Sequence, residues 1–442
     1  MRAPRIRHAF RTVATVCASF LLVSAFVIPL RYLGMTTGLL PVARAETALQ
    51  APSLAPASSA FSTMVEYSSE AAAASAPASA GRTSTRLDFE DAWLFRNPSS
   101  YNHGLATACA VLSAVCNAES HYYSGVEGAV PYAEHALWSL GFTDVRTESY
   151  ALRSSILDEL GALLTGAHDI AAYTLASKTV PHPDGGEPST IVFVGIRGSY
   201  GIEWISNLNF ACNRSEGGDH GGFAATEAEV ERALARYLRD RGANPERTRI
   251  LITGHSRGGA VANLLAARLD GLSGTPGQIV PAENVYAYTF AAPASTRSEE
   301  RGSSLYDNVF NIVNTSDIVP QLPLAAWGYG RYGMTAALPS APGAPDVDGK
   351  GALERMEEAF ERNTGVAWAG NRDSLAALGA FADAVAQAVP TAEALASPAG
   401  IAGTAHAFLG TDAATALASH LPDTYIAWMQ AAHGEDMRFS RA

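Results

Sequence analysis

A serine between two glycines is the first candidate for chemistry in this chain of 442 residues. The segment from Gly254 to Gly258 has the pattern G-x-S-x-G around Ser256. It follows a strand pattern at 249–253 whose three central residues are apolar, typical of a buried strand, and an amphipathic helix pattern begins at about Arg257. A sharp turn from strand to helix exposes the serine oxygen above a sheet, so the pattern predicts a nucleophile elbow.

A serine hydroxyl is a weak nucleophile unless a histidine, oriented by an acid, takes its proton. Chains with this elbow carry their groups in the order Ser, acid, His, which directs the search downstream of Ser256. Asp317 is the acid candidate because it follows the apolar strand pattern at 309–313, and catalytic groups lie beyond the carboxyl ends of such strands. Position alone leaves three histidines open as the base: His406, His420 and His433.

The elements that must position these groups alternate between strands and helices. Strand patterns occur at 170–180, 190–196, 249–253, 284–290 and 309–313, and helix patterns at 101–117, 131–140, 226–242 and from 257 onward. Continuous apolar strands separated by helices predict the α/β class, with a mainly parallel sheet and helices on both faces. Helix patterns at 353–360 and 375–389 predict an insertion before the histidine, which forms either a cap over the site at 340–400 or a peripheral addition.

The N-terminal part carries two segments with no expected role in the fold. Residues 1–45 begin with arginines, continue with an apolar run at 13–30 and end in Ala43-Arg44-Ala45, which predicts an export signal. An uncleaved anchor helix is the alternative, and both readings place the protein outside the cytoplasm, secreted or at the cell surface. Residues 46–84 are rich in Ala, Ser and Pro and predict a disordered linker, which leaves 85–442 as the folded domain.

Charge and cysteine content exclude several kinds of partner. The net charge of −12 argues against nucleic acid, because phosphate binding needs a clustered positive surface. The spacing of the four cysteines fits no zinc site. Cys17 lies in the predicted signal, and pairing among Cys109, Cys116 and Cys212 stays open.

Several separated motifs resemble the class 3 lipases, the fungal-lipase-like branch of the α/β hydrolases. Together they span residues 190–425 in one order. They are Ile196-Arg197-Gly198-Ser199, Trp204, His220-Gly221-Gly222-Phe223, the elbow at Ser256, Thr289-Phe290-Ala291-Ala292-Pro293 with Ala291 in place of the family's glycine, Asp317-Ile318-Val319-Pro320, and His420 with Tyr425.

The resemblance implies an α/β-hydrolase fold and a catalytic triad of Ser256, Asp317 and His420. It also implies an oxyanion hole formed at Ser199 and at the backbone N–H of Arg257. The activity implied is that of a lipase, which cleaves acyl-lipid esters through an acyl-serine intermediate, without metal or organic cofactor, in transient contact with a lipid interface.

Three other functions stay open at this stage. A short-chain carboxylesterase and an acyltransferase would use the same residues. A catalytically silent surface protein would use the fold for binding alone. The oligomeric state is not predicted.

Overall fold

The computed structural model describes residues 60–75, 81–118, 130–148, 172–198, 218–340, 351–392, 394 and 397–441. The predicted export signal, Ser199, Trp204 and Cys212 lie outside these residues. In the described part of the chain no helix is both long and apolar enough to cross a membrane.

The described strands form one large sheet and one hairpin. They are β1 (Ala60–Ser68), β2 (Arg82–Glu90), β3 (Thr143–Glu148), β4 (Tyr173–Val180), β5 (Ser189–Ile196), β6 (Thr248–His255), β7 (Val285–Phe290), β8 (Val309–Val313), β9 (Met334–Ala337) and β10 (Arg438–Arg441). The large sheet has the order β10-β9-β8-β7-β6-β5-β4-β3. Strands β5 to β9 are parallel, and the neighbouring pairs at both edges are antiparallel.

The described α-helices lie before, between and after these strands. They are α1 (Glu70–Ser75), α2 (His103–Ala118), α3 (Tyr132–Ser139), α4 (Gly221–Asp240), α5 (Arg257–Leu272), α6 (Ala352–Thr364), α7 (Leu375–Gly379), α8 (Phe381–Ala388), α9 (Pro398–Leu409), α10 (Ala413–His420) and α11 (Pro422–Ala431). Helices α6 to α8 correspond to the helix patterns predicted at 353–360 and 375–389, and α9 is a further helix between Asp317 and His420.

Alternate side chains of the parallel strands enter two different cores. Phe193, Leu251 and Phe290 pack with α2, α6 and α11 on one face. Val194 and Ile252 pack with α4 and α5 on the other face. Strands covered on both faces bury every position, which explains their continuous apolar sequences. The prediction of an α/β fold with a mainly parallel sheet and helices on both faces is therefore confirmed, and a strand-to-helix turn after β6 gives it the α/β-hydrolase arrangement.

The prediction of a disordered linker over 46–84 is wrong for residues 60–75 and 81–84. Strands β1 and β2 pair antiparallel from Ala60 opposite Glu90 to Ser68 opposite Arg82. Side chains of β1 alternate between the core and solvent, with Val65 and Tyr67 buried. This period of two buries enough apolar surface to order the segment, despite its high content of Ala and Ser. The folded domain therefore includes this hairpin instead of beginning at residue 85.

A buried lysine ties the hairpin to the large sheet. The Lys178 Nζ lies 2.5 Å from Asp91 Oδ1 and donates to the carbonyl oxygen of Leu140 at 2.7 Å. It also lies over the rings of Phe61 and Phe89, at 4.4 and 4.8 Å from their centroids. Burial lowers the pKa of Lys178 to about 8, although the attraction of Asp91 opposes this shift. The ion pair and ring contacts offset the desolvation of the ammonium group and fix the hairpin on β4.

Candidate active site

Ser256 lies at a sharp turn between β6 and α5. Its backbone has φ 56° and ψ −127°, a strained conformation for a residue with a side chain. A Cβ at Gly254 would lie 2.4 Å from the carbonyl oxygen of Gly258, and a Cβ at Gly258 would lie 2.3 Å from that of Ile196. Only glycine fits at both positions, because strand, helix and the loop after β5 approach each other too closely for side chains. The predicted geometry of strand, turn and helix around Ser256 is present.

The structure brings Ser256, Asp317 and His420 into one hydrogen-bonded chain. The distance from Ser256 Oγ to His420 Nε2 is 2.9 Å, and that from His420 Nδ1 to Asp317 Oδ2 is 2.8 Å. An ionised carboxylate can only accept, so Nδ1 carries the ring proton and Nε2 accepts from the serine hydroxyl. Asp317 is fully buried and His420 is nearly so. This arrangement can transfer a proton from Ser256 to His420.

The structure separates the three histidines that position alone had left open. His420 is the last residue of α10 and contacts both the serine and the aspartate. His406 is exposed on α9, and His433 begins the short turn before β10. His420 is therefore the histidine that can act on Ser256.

Three donors hold the Asp317 carboxylate in place. Besides His420, the Tyr425 hydroxyl donates to Oδ2 at 2.9 Å, and the backbone N–H of Val319 donates to Oδ1 at 2.9 Å. The Tyr425 oxygen also accepts the backbone N–H of Asn314 at 3.0 Å. Burial, and then the charge of Asp317, raise the pKa of Tyr425 well above its usual range. Tyr425 therefore remains a neutral donor that orients the carboxylate.

The inserted helices pack against the loop that carries Asp317. The Gln321 side chain donates to the carbonyl oxygens of Asp317 at 3.1 Å and of Leu378 in α7 at 2.9 Å. Its carbonyl oxygen accepts the backbone N–H of Ala382 in α8 at 3.0 Å. Apolar residues of this loop and of both helices share a third, smaller core. These contacts brace the acid loop, and the cap over 340–400 stays a prediction.

His255 lies beside the catalytic candidates without joining the hydrogen-bonded chain. Its ring centroid is 5.0 Å from that of His420 and 5.5 Å from that of Tyr425. Burial, and then repulsion from His420, lower the pKa of His255 well below its usual range. A neutral His255 does not oppose the positive charge that His420 acquires when it takes a proton.

Of the two predicted oxyanion residues, the structure describes Arg257 but not Ser199. Arg257 is the first residue of α5, and its guanidinium donates to the Thr226 hydroxyl at 3.2 Å. The guanidinium is thus directed at α4, while the backbone N–H belongs to a helix N-terminus, where the dipole favours negative charge. Ser199 lies outside the described residues, and Gly198 is the last described residue before it.

Sequence reasoning missed Asn117, whose side chain contacts the loop after β5 and the histidine before Ser256. The backbone N–H of Gly198 donates to Asn117 Oδ1 at 2.8 Å, and Asn117 Nδ2 lies 3.5 Å from His255 Nδ1. Asn117 is in the last turn of α2, far from both partners in the sequence. Nothing in its local sequence distinguishes it from other polar residues at a helix end.

Part of this chain is similar in sequence to known lipases. Residues 193–327 match the family described as lipase (class 3). A secreted mono- and diacylglycerol lipase 1 of Fusarium solani is 31% identical over 151 residues, which are 31% of this chain and 41% of that protein. A lipase of Rhizomucor miehei is 30% identical over 165 residues, 34% of this chain and 42% of that protein. The match thus spans less than half the length of either relative.

A solved lipase of Rhizopus microsporus var. chinensis is 18% identical over 69% of this chain and 84% of its own, with a TM-score of 0.36. The α/β-hydrolase fold is identified here from the strand order and the strand-to-helix turn after β6. The matched family segment contains the elbow with Ser256 and the acid loop with Asp317. Residues 193–327 of this chain are thus similar to the class 3 lipase family.

Proposed function

We propose that this protein is a serine ester hydrolase, a lipase that cleaves acyl-lipid esters with Ser256 as its nucleophile. The observation that carries the proposal is the position of His420, which lies within hydrogen-bond distance of both Ser256 and Asp317. Such a chain of serine, histidine and aspartate is the arrangement that activates a serine hydroxyl for acyl transfer.

The reaction proceeds through an acyl-enzyme. His420 Nε2 takes the hydroxyl proton as Ser256 Oγ bonds to the ester carbonyl carbon, and the carbonyl oxygen becomes an oxyanion. When the tetrahedral intermediate collapses, the bond to the alcohol oxygen breaks and His420 protonates the leaving alcohol. Water then attacks the acyl-serine with His420 as base. The bond from the acyl carbon to Ser256 Oγ breaks, His420 returns the proton to the serine oxygen, and the acid leaves. Asp317 remains ionised throughout and stabilises the imidazolium.

The oxyanion needs donors aimed at the position it takes in the transition state. We assign this role to the backbone N–H groups of Arg257 and Ser199. Arg257 begins α5, whose dipole favours negative charge at this end. For Ser199 the support is the family resemblance of Ile196-Arg197-Gly198-Ser199. Loss of one such donor typically costs about 3 kcal/mol of transition-state stabilisation.

The substrate class and the location are inferred from the relatives. The two relatives carry the names of a secreted mono- and diacylglycerol lipase and a lipase. We propose an acyl ester of a glycerolipid as substrate, reached by transient contact with a lipid interface. We also propose that the protein is extracellular, exported by residues 1–45, with anchoring at the cell surface as the alternative.

The test is hydrolysis of p-nitrophenyl esters from acetate to palmitate by the purified protein and by Ser256→Ala. The matched control is Ser295→Ala, which removes another buried serine hydroxyl, one that bonds Asn263 instead of the histidine. We expect wild type and Ser295→Ala to release p-nitrophenol, and folded Ser256→Ala to lose at least about 10³-fold in kcat. An optimum at the long esters supports the lipase, and an optimum at acetate or butyrate indicates a short-chain carboxylesterase.

Three further outcomes contradict parts of the proposal. Equal rates for wild type and Ser256→Ala would exclude Ser256 as the nucleophile. Preferred transfer of the acyl group to added glycerol, with little free acid, would indicate an acyltransferase. Absence of hydrolysis for every ester, with both proteins folded, would favour a binding protein without activity.

A further inference from the structure

The last turn of α2 contacts both the loop that follows β5 and the elbow that carries Ser256. Asn117 Oδ1 accepts the backbone N–H of Gly198 at 2.8 Å, on the loop that follows β5. Its Nδ2 is directed at His255 Nδ1, at 3.5 Å, in the residue before the nucleophile. A backbone N–H can only donate, so the amide oxygen faces Gly198 and the amide nitrogen faces the histidine. One side chain therefore spans the distance between the β5 loop and the elbow.

Close packing leaves Gly198 little freedom on its other side. A Cβ at this residue would lie 2.5 Å from the carbonyl oxygen of His255 and 3.4 Å from Ser256 Cβ. Gly198 is thus packed against the carbonyl group of His255 and the side chain of Ser256. The hydrogen bond to Asn117 and the close packing of the elbow together fix the position of Gly198.

Helix α2 is itself fixed to the same strands, which makes it a rigid support. The hydroxyl of Thr253 in β6 lies 3.3 Å from the carbonyl oxygen of Cys109 in α2 and 2.9 Å from that of Tyr288 in β7, so its proton is shared between them. A Cβ at Gly195 would lie 2.5 Å from Cys116 Sγ, so the end of β5 packs directly on the last turn of the helix. A side chain in this turn can therefore hold Gly198 without moving itself.

We propose that Asn117 is a positioning residue, which holds the loop at Gly198 against the Ser256 elbow so that oxyanion donors meet the developing negative charge. The inference rests on the proposed esterase function. It extends that function to a helix outside the segment 193–327 that matches the family. Asn117 does not touch the substrate, and its effect passes through the backbone of Gly198.

The position of an oxyanion donor affects the transition state more than the bound substrate. Donors act when they lie about 2.7–3.1 Å from the oxyanion, and the carbonyl oxygen of the ground state occupies a different point. A displaced loop should therefore lower kcat and leave KM nearly unchanged. A substitution that only weakened the fold would leave the kcat of the folded fraction unchanged.

The experiment uses Asn117→Leu, Asn117→Asp and Ser113→Ala in the full chain. Leucine keeps the branching of asparagine at Cγ but is larger and has no acceptor, while aspartate keeps an oxygen facing Gly198. Ser113→Ala is the matched control, because it removes a buried hydroxyl of the same helix that donates to the carbonyl oxygen of Ala110 in α2. For each folded variant we would measure kcat and KM for p-nitrophenyl butyrate, and the Ki of a trifluoromethyl ketone, which forms a tetrahedral adduct with serine.

We expect Asn117→Leu to lose about 10² in kcat, within the 10²–10³ typical of one lost donor, with KM changed less than threefold. The Ki of the ketone should rise by the same factor as kcat/KM falls. The kcat of Asn117→Asp should be at least tenfold higher than that of Asn117→Leu, and the kcat of Ser113→Ala should equal that of wild type. The thermal midpoint of Asn117→Leu reports folding separately, so a change in stability is not mistaken for a change in kcat.

Each contrary result has a distinct meaning. If Asn117→Leu keeps wild-type kcat, or if Leu and Asp variants lose equally, the positioning role is wrong while the proposed hydrolase stands. If KM rises and kcat does not fall, Asn117 acts on substrate binding and the inference is also overturned. If wild type itself hydrolyses no ester, the proposed function fails, and this inference fails with it.

Discussion

Replacement of Tyr425 by phenylalanine should weaken both the fold and the reaction by amounts that the structure predicts. The substitution removes one oxygen from a fully buried ring and leaves the ring packing intact. That oxygen donates to the Asp317 carboxylate at 2.9 Å and accepts the buried backbone N–H of Asn314 at 3.0 Å. Both partners remain in place and lose a bond.

Two contributions set the size of the effect on stability. A hydrogen bond to a charged group contributes about 1.5–3 kcal/mol, and a buried N–H left without a partner costs about 1–3 kcal/mol. The two losses share one oxygen, so the free energy of unfolding should fall by about 3–4 kcal/mol instead of by their full sum. Tyr288→Phe is the matched control, since its buried hydroxyl accepts the N–H of Asn102 at 3.2 Å but contacts no carboxylate in the described residues. It should cost about 1 kcal/mol.

The effect on catalysis should be moderate. Asp317 keeps its bonds to His420 and to the N–H of Val319, so the imidazole stays oriented. We expect kcat for p-nitrophenyl butyrate to fall about tenfold, far less than the roughly 10⁴-fold loss typical when the triad aspartate itself becomes an amide.

Urea unfolding and steady-state kinetics on wild type, Tyr425→Phe and Tyr288→Phe measure these quantities. The reasoning is refuted if the two phenylalanine variants lose the same stability, because the charged bond would then contribute nothing. It is also refuted if Tyr425→Phe loses as much kcat as Asp317→Asn, because His420 would then depend on the tyrosine more than on the carboxylate.

Three other substitutions test separate parts of the structure. Burial raises the pKa of Asp270 to about 8. Between about pH 4 and pH 8 the folded protein therefore keeps a proton on Asp270 that the unfolded chain has released, so the free energy of unfolding falls as pH rises through that window. In urea unfolding at about pH 5–7, Asp270→Asn should flatten this slope by about 1.4 kcal/mol per pH unit, and parallel slopes would contradict the assignment. Ala291 has a positive φ of 52°, which is strained for a residue with a side chain, so Ala291→Gly should leave the free energy of unfolding unchanged or raise it by up to about 1 kcal/mol. Ala287→Gly in β7 is the control and should lower it by about that much. Equal losses of stability in both variants would show that Ala291 is not strained. Gly258→Ala should abolish ester hydrolysis while far-ultraviolet circular dichroism stays native, because its Cβ would meet the carbonyl oxygen of Ile196 at 2.3 Å, and full activity would exclude so close a contact.

Elements with a strong local pattern could be predicted from the sequence. The strand pattern at 309–313 coincides with β8, and the pattern at 190–196 differs from β5 by one residue. Both strands are buried on two faces, which explains why apolar residues fill most of their positions. Ser256 could be predicted for the same reason, because a strand, a tight turn and a helix leave a signal within a few residues.

Local composition misled the prediction at the N-terminal hairpin. The Ala and Ser content of 46–84 predicts disorder, but Phe61, Val65 and Tyr67 repeat at even intervals along one face of β1. That alternation was available in the sequence and is the stronger physical signal, because buried alternate side chains determine whether a strand orders.

Contacts between distant parts of the chain could not be predicted without the fold. Asn117 meets Gly198 only because α2 packs across the ends of β5 and β6. Gln321 joins the acid loop to α7 and α8 through four backbone groups, and no spacing in the sequence indicates this. Such side chains position the site, and their roles depend on tertiary packing.

The most direct test of the central claim is covalent labelling of the protein with a p-nitrophenyl alkylphosphonate. The reagent phosphonylates an activated serine, and mass spectrometry of the digested protein identifies the labelled peptide. We predict one label per chain on Ser256, loss of ester hydrolysis in proportion to labelling, and no label on folded Ser256→Ala or His420→Ala. A label on a different residue, or inactivation of Ser256→Ala at the wild-type rate, would contradict the assignment of Ser256 as the nucleophile.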